Sequence, residues 1–243
     1  VKCETSVWGD REALSRAAAG ELAQVAERAI GARGRFDLAL AGGSTPRRLY
    51  EILAAEYRER IDWRRTHLFW GDERYVPPGD SSSNYRMARE ALIDPLGLAT
   101  ANVHPMPTDA ADPEEAARTY EHTLRAHFGD AGPRFDLVLL GIGPEGHTAS
   151  LFLGSPALGE RRRWVMPVRV AAQPPLRLTL TRAALDAAED VFFLVAGADK
   201  REIVAKLLRL PPGEDGGYPA AQLRPRGRVV IFLDRTAYGG NGS

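Results

Sequence analysis

The sequence predicts an α/β fold: a doubly wound, mostly parallel sheet flanked by helices, Rossmann-like in build, with residues 1–243 forming a single domain. Three observations predict it. Short apolar runs recur along the chain, they are near-continuous instead of alternating, and helix-period stretches separate them. Near-continuous runs suit strands buried on both faces. Their alternation with helices is the signature of a parallel sheet wrapped by crossovers.

Taken in order, Arg11–Ile30 places Leu14, Ala17, Ala18, Leu22, Val25 and Ala26 at the spacing of an amphipathic helix. Phe36–Ala41 (FDLALA) reads as a buried strand. Pro46–Tyr57 then starts a helix, with Ser44 or Thr45 as its cap and Pro46 at an early helical position. His67–Trp70 is the next strand. The proline-rich stretch Pro77–Ser83 is a loop, and Asn84–Leu92 and Pro113–Phe128 are helices. Phe135–Leu140, Trp164–Val168, Val191–Ala196 and Val229–Leu233 complete the apolar strands. Arg177–Thr181 is a short alternating strand, Thr181–Ala188 and Lys200–Leu210 are helices, and Pro211–Gly217 is a surface loop.

Totals exclude several function classes. The 32 basic and 32 acidic residues cancel, so no nucleic acid partner is indicated. Cys3 is the single cysteine, which suits a reducing compartment. No apolar run approaches the ~20 residues of a membrane span. The expected setting is the cytoplasm, with no membrane contact, as a monomer or small homo-oligomer.

The stretch Leu139–Phe152 (LLGIGPEGHTASLF) carries Gly141, Gly143 and Gly146 at the spacing of a dinucleotide-binding turn. That fingerprint also needs a full crossover helix and an acidic residue at the end of the next strand, about 20 residues on. Here Gly154-Ser155-Pro156 ends the segment too soon, and Glu160 lies in GERRR. No nicotinamide cofactor is expected. The loop instead presents His147 beyond the carboxyl end of a strand, where open α/β sheets bind ligands. A short helix starting there would favour the neutral imidazole, suiting a general base.

Other strand ends carry matching chemistry. Gly42 and Gly43 let backbone N–H groups approach an anion, and Ser44 and Thr45 open a helix whose dipole attracts it. No G-K-[ST] follows, so a small phosphate ester is implied and ATP is not. In Trp70–Tyr75 (WGDERY), Arg74 can grip a phosphate or carboxylate. Asp72 can orient a histidine or a substrate hydroxyl, and Glu73 reads as solvated. Asn84 adds a polar contact. Arg177 and Lys200 place further cations at strand ends. The five histidines show no H-E-x-x-H pattern and there is no cysteine cluster, so no metal site is indicated.

Together AGGSTP, WGDERYVPPGDSSSNYRMA, FDLVLLGIGPEGHTASLF, RLTLT and VAGADKREIV resemble the 6-phosphogluconolactonases. The resemblance implies hydrolysis of 6-phospho-D-glucono-1,5-lactone, in the oxidative pentose phosphate pathway, without metal or organic cofactor. It implies His147 as general base. It also implies that Arg74, the loop Gly42–Thr45, Arg177 and Lys200 bind the phosphosugar lactone, with Gly146 in the motif itself. Two positions depart from the family pattern: Glu145 stands where Asp is usual, and Leu153 where Pro is usual. Either Asp72 or Glu145 would support His147. Oxyanion donors would be backbone N–H groups of Gly143–Gly146 or a cationic side chain. Glucosamine-6-phosphate deaminases and isomerases share the glycine–histidine turn, but here Thr148–Phe152 follows with no glutamate to assist ring opening. A non-catalytic sugar-phosphate-binding regulator would need neither His147 nor Asp72.

Overall fold

The computed structural model describes residues 2–211 and 213–239. The first half runs β1 (Lys2–Trp8), α1 (Arg11–Arg33), β2 (Phe36–Leu40), α2 (Ser44–Glu56), β3 (Thr66–Trp70) and β4 (Asp72–Arg74). It continues through α3 (Asn84–Ala88), a π-helical turn at Arg89–Ile93, α4 (Asp94–Leu96) and α5 (Pro113–Phe128). The second half runs β5 (Leu137–Leu140), α6 (Pro156–Gly159), β6 (Val165–Arg169), β7 (Leu176–Leu180), α7 (Arg182–Asp186) and β8 (Asp190–Val195). It ends with α8 (Arg201–Leu208), α9 (Pro219–Gln222), β9 (Arg228–Asp234) and α10 (Arg235–Tyr238).

Six strands form one sheet in the order β1-β9-β8-β5-β2-β3, every neighbouring pair parallel. The inner strands β2, β5 and β8 are buried at every residue, which is why their sequences are apolar apart from Asp37 and Asp190 near their amino ends. β1 (KCETSVW) is a polar edge strand, and its composition hid it from an apolar-run reading. The sheet is mostly parallel and helix-flanked, as expected. One strand belongs elsewhere: Trp164–Val168 corresponds to β6, which joins β7 and β4 in a small antiparallel sheet. Proline at 167 and partial exposure at Met166 suit such a strand, and β4 is three residues that read in sequence as a charged loop.

Helix ends follow local chemistry. Asp10 caps α1 by accepting from the Ala13 N–H at 2.8 Å, and Gly34 closes it with φ 78°. Asp112 caps α5, and Pro113, Glu114 and Glu115 fill its first turn. The predicted cap of α2 is corrected: Gly43 holds that position at φ 106°, with no side-chain hydrogen bond, and Ser44 and Thr45 lie inside the helix. The first N–H groups of α2 are thus left without a side-chain acceptor.

Two buried tyrosines fix the carboxyl ends of neighbouring strands. Tyr50 of α2 accepts from the Ala41 N–H at 2.9 Å and donates to the Ala41 carbonyl at 2.8 Å. Tyr120 of α5 accepts from the Trp70 N–H at 3.0 Å. Each inserts a hydroxyl where a strand leaves the sheet and its backbone groups lose ladder partners.

Candidate active site

In this strand order β3 lies on one side of β2, and β5, β8 and β9 lie on the other. The crevice between β2 and β5 is therefore the topological switch point, where loops diverge and leave space beyond the carboxyl ends. A cleft of about 780 Å³ opens there. It is lined by Gly42, Gly43, Ser44 and Thr45 after β2, by Gly141–Glu145 and His147 after β5, and by Lys200 after β8. The small sheet closes it with Asp72, Arg74 and Arg177, and Asn84 reaches it from α3. Among the lining residues, Arg11, Arg74, Arg169, Arg177 and Lys200 outnumber Asp72, Glu145 and Asp199. The cleft suits an anion.

His147 sits in a tight turn. The Gly143 N–H donates to the His147 carbonyl at 2.9 Å, and the Gly146 N–H donates to the Gly143 carbonyl at 2.9 Å. The imidazole lies on Gly143, where a Cβ would overlap Nδ1, and its other face stacks on Phe152 with centroids 4.1 Å apart. Glu145 Oε1 lies 3.2 Å from Nδ1, close enough for an ion pair but off the line of a good hydrogen bond. Burial acts to raise the Glu145 carboxyl, but its own backbone amide, His147 and Lys200 outweigh that and hold it below its ordinary value. The carboxylate beside His147 is Glu145. Asp72 instead accepts from Ser150 Oγ at 2.7 Å, tying the histidine loop to the small sheet.

Three further expectations are corrected. Residues 144–151 form turns and a Thr148–Leu151 bridge, so no helix dipole acts on His147. The amides of Gly143 and Gly146 are committed within the turn and Pro144 has none, so the Glu145 amide is the one backbone donor this stretch leaves. Gly146 does not line the cleft. Its φ of 83° makes the turn, and a Cβ there would enter the ring of Tyr218.

The cationic wall has a specific geometry. Arg74 and Arg177 are direct cross-strand partners in the β4–β7 pair. Like charges so placed repel. Arg177 is 7% exposed, and its Nε has no hydrogen-bond partner among the described residues. Burial first, then the facing Arg74, push Arg177 below its ordinary value. Arg74 donates to the Ser82 carbonyl, which anchors one edge of its fork.

Glu73, read from sequence as solvated, is 1% exposed. Its carboxylate accepts from the backbone N–H groups of Arg74, Asn84 and Tyr85 and from Ser83 Oγ, at 2.7–3.0 Å. Burial raises its pKa against those donors. It is a knot that holds α3 to β4. Asn84 is part of that knot: its side chain occupies the space of a Cβ on Gly42, and Nδ2 donates to the Asp72 carbonyl at 2.9 Å. Asn84 borders the cleft chiefly as a brace. On the far side, Asp234 accepts from the Gly197 N–H at 3.1 Å and pins the loop that carries Lys200.

Sequence reasoning missed Arg11 and Phe152 as cleft residues. Arg11 looks like an ordinary first-turn residue of a helix, and Phe152 has no periodic partner to mark it.

An open α/β sheet with an imidazole on one switch-point loop and paired guanidiniums across the cleft defines a class: an α/β protein whose crevice suits a small anionic ligand. Comparison with known proteins then gives the family. Residues 9–232 match the model of the family described as glucosamine-6-phosphate isomerases/6-phosphogluconolactonase, and the chain belongs to that family. It is 46% identical to a 6-phosphogluconolactonase of Synechocystis sp. over 213 residues, 86% of each chain. It is 38% identical over 239 residues to one from Mycobacterium tuberculosis, covering 95% of each. Among solved structures, the 6-phosphogluconolactonase of Trypanosoma brucei superposes with TM-score 0.82 at 32% identity, covering 98% of each chain. A monomeric glucosamine-6-phosphate deaminase, at 22% identity and TM-score 0.81, shares the fold.

Proposed function

We propose that this chain hydrolyses 6-phospho-D-glucono-1,5-lactone to 6-phospho-D-gluconate, in the oxidative pentose phosphate pathway, with His147 as general base. The observation that carries the reading is the imidazole facing a cleft whose other wall holds two opposed, incompletely paired guanidiniums. The names of the relatives support the same substrate. The phosphate binds Arg74 and Arg177, with the free N–H groups at the start of α2 adding donors. Held remotely, it positions the lactone carbonyl beside His147. Glu145 next to Nδ1 favours the tautomer with its proton there and leaves Nε2 to accept.

Nε2 takes a proton from water as the water oxygen attacks C1. The carbonyl electrons move onto oxygen, and a cation stabilises that oxyanion; Lys200, near enough to act on Glu145, is the candidate. Collapse breaks the bond between C1 and the ring oxygen, which receives the proton back from His147. Asp72 acts through Ser150, as a positioning residue for the histidine loop.

The test is hydrolysis of freshly generated lactone, coupled to 6-phosphogluconate dehydrogenase and corrected for spontaneous opening. Wild type should accelerate it. His147→Asn should still bind 6-phosphogluconate yet lose about 10²–10⁴ in kcat. No acceleration by folded wild type would refute the activity, and equal loss of binding would remove His147 from the role of base.

A further inference from the structure

A second cluster of chemistry lies at the opposite, amino end of the sheet. His67 is the second residue of β3 and the register partner of Asp37 in β2. His104 follows the short bridge by which Val103 extends the β3 edge, and its N–H donates to the Leu68 carbonyl at 2.9 Å. His127 is in the last turn of α5. Three segments far apart in sequence thus bring one ring nitrogen each to within 4.8 Å of one another.

The geometry points to a site for a divalent first-row ion of the zinc type, held by His67, His104 and His127 with a fourth position open to water. In a tetrahedral site with Zn–N bonds of about 2.0–2.1 Å, neighbouring ligand nitrogens stand ~3.3 Å apart. His67 Nδ1 and His104 Nε2 are already 3.2 Å apart, so one edge of the tetrahedron is in place. The remaining nitrogen needs a movement of about 1.5 Å, within reach of a rotamer adjustment at the partly buried His127.

The surroundings fit. Asp37, almost fully buried, places Oδ1 2.7 Å from His127 Nε2, the carboxylate–imidazole pairing that orients metal-binding histidines and leaves Nδ1 for the ion. Phe69 stacks on His104 with centroids 4.5 Å apart, and Phe128 packs edge-on against His127, which gives an apolar collar. An opposing cation is Arg35, whose Nε lies 2.9 Å from Asp37 Oδ2 and faces the far oxygen of that carboxylate. Imidazole donors suit zinc, copper and nickel over magnesium or calcium.

The site ties β3, the Val103–His104 segment and α5 together, away from the cleft, so it is independent of the lactonase reading. The test uses full-length protein stripped of metal and titrated with cobalt(II). Wild type should take up one ion with the visible absorption of a tetrahedral site, and its Tm should rise with cobalt concentration. His67→Asn and His104→Asn should each weaken uptake at least about tenfold and keep lactone hydrolysis at the wild-type rate. His122→Asn, on the exposed face of α5, should bind as wild type does. No uptake by wild type, or uptake unchanged in both variants, overturns the proposal. So does uptake lost in His147→Asn, which would place the ion in the cleft. Should the variants fold poorly, anomalous diffraction from cobalt-soaked wild-type crystals decides. Density among the three histidines supports the site, and density elsewhere or none refutes it.

Discussion

At Gly143 the protein gives up a side chain so that the His147 ring can lie flat on the backbone, with Phe152 behind it. A ring held this way loses little freedom when a ligand binds, as the proposed role of base requires. The GHTASLF motif made His147 legible in sequence, but not its neighbours: the fold puts the Glu145 carboxylate beside the ring and the Asp72 carboxylate on Ser150. Glu73 was illegible for a related reason. Three charged residues in a row look solvated, yet a β4 side chain that points inward is buried, and a carboxylate can be buried when four donors surround it. The opposed pair Arg74 and Arg177 yields a prediction. Arg177→Met should make the ligand-free protein more stable by about 0.2–1 kcal/mol, because a like-charge pair is removed. It should also raise KM for the phosphorylated lactone about ten- to a hundredfold, the loss of a charge-assisted bond. Thermal melts and kinetics read the two effects separately; a marked fall in Tm would show that the pair is not strained.

Among the elements, the apolar strands were legible within one or two residues because burial on both faces demands apolar side chains at most positions, Asp37 and Asp190 being the exceptions at the inner strands' amino ends. Elements that lack this demand were not. Edge strand β1 is polar, β4 is three charged residues, and β6 joins a different sheet than its apolar sequence implied. The start of α2 was misread because Ser44 and Thr45 are good caps on local grounds, whereas Gly43 takes the cap position and leaves the helix N-terminus open toward the cleft. Tyr50 holds this opening in place. Tyr50→Phe would leave the buried Ala41 N–H without its acceptor and its carbonyl without a donor, at a cost of about 1–3 kcal/mol. Chemical denaturation should show that loss with an unchanged m-value. A change below ~0.5 kcal/mol would mean that water or another group replaces the hydroxyl.

Over the whole molecule, the sheet order explains why loops remote in sequence meet. The reversal at β2 separates the loops after β2 and β5, and the small sheet covers the gap with β4 and β7. Local sequence could suggest strand ends as sites, but not which ends adjoin, because strand order is a tertiary property. The same limit hid the histidine cluster, since positions 67, 104 and 127 share no short motif and meet only through the β3 edge and the end of α5. No helix among the described residues is long and apolar enough to cross a membrane.

His147 hangs from the large sheet, and the paired guanidiniums belong to the small one. On the proposed reading the two ends of the ligand are gripped by different sheets, and the seam between them works as a caliper set to one length of sugar. A five-carbon aldonolactone 5-phosphate, one carbon too short, would reach the arginines and leave its carbonyl short of His147. Its kcat/KM should fall about a hundredfold, the scale of an ångström's misplacement, while inhibition constants for the two ring-opened acids stay close. Equal turnover of both lactones would mean that the sheets slide to fit, and that length is judged elsewhere.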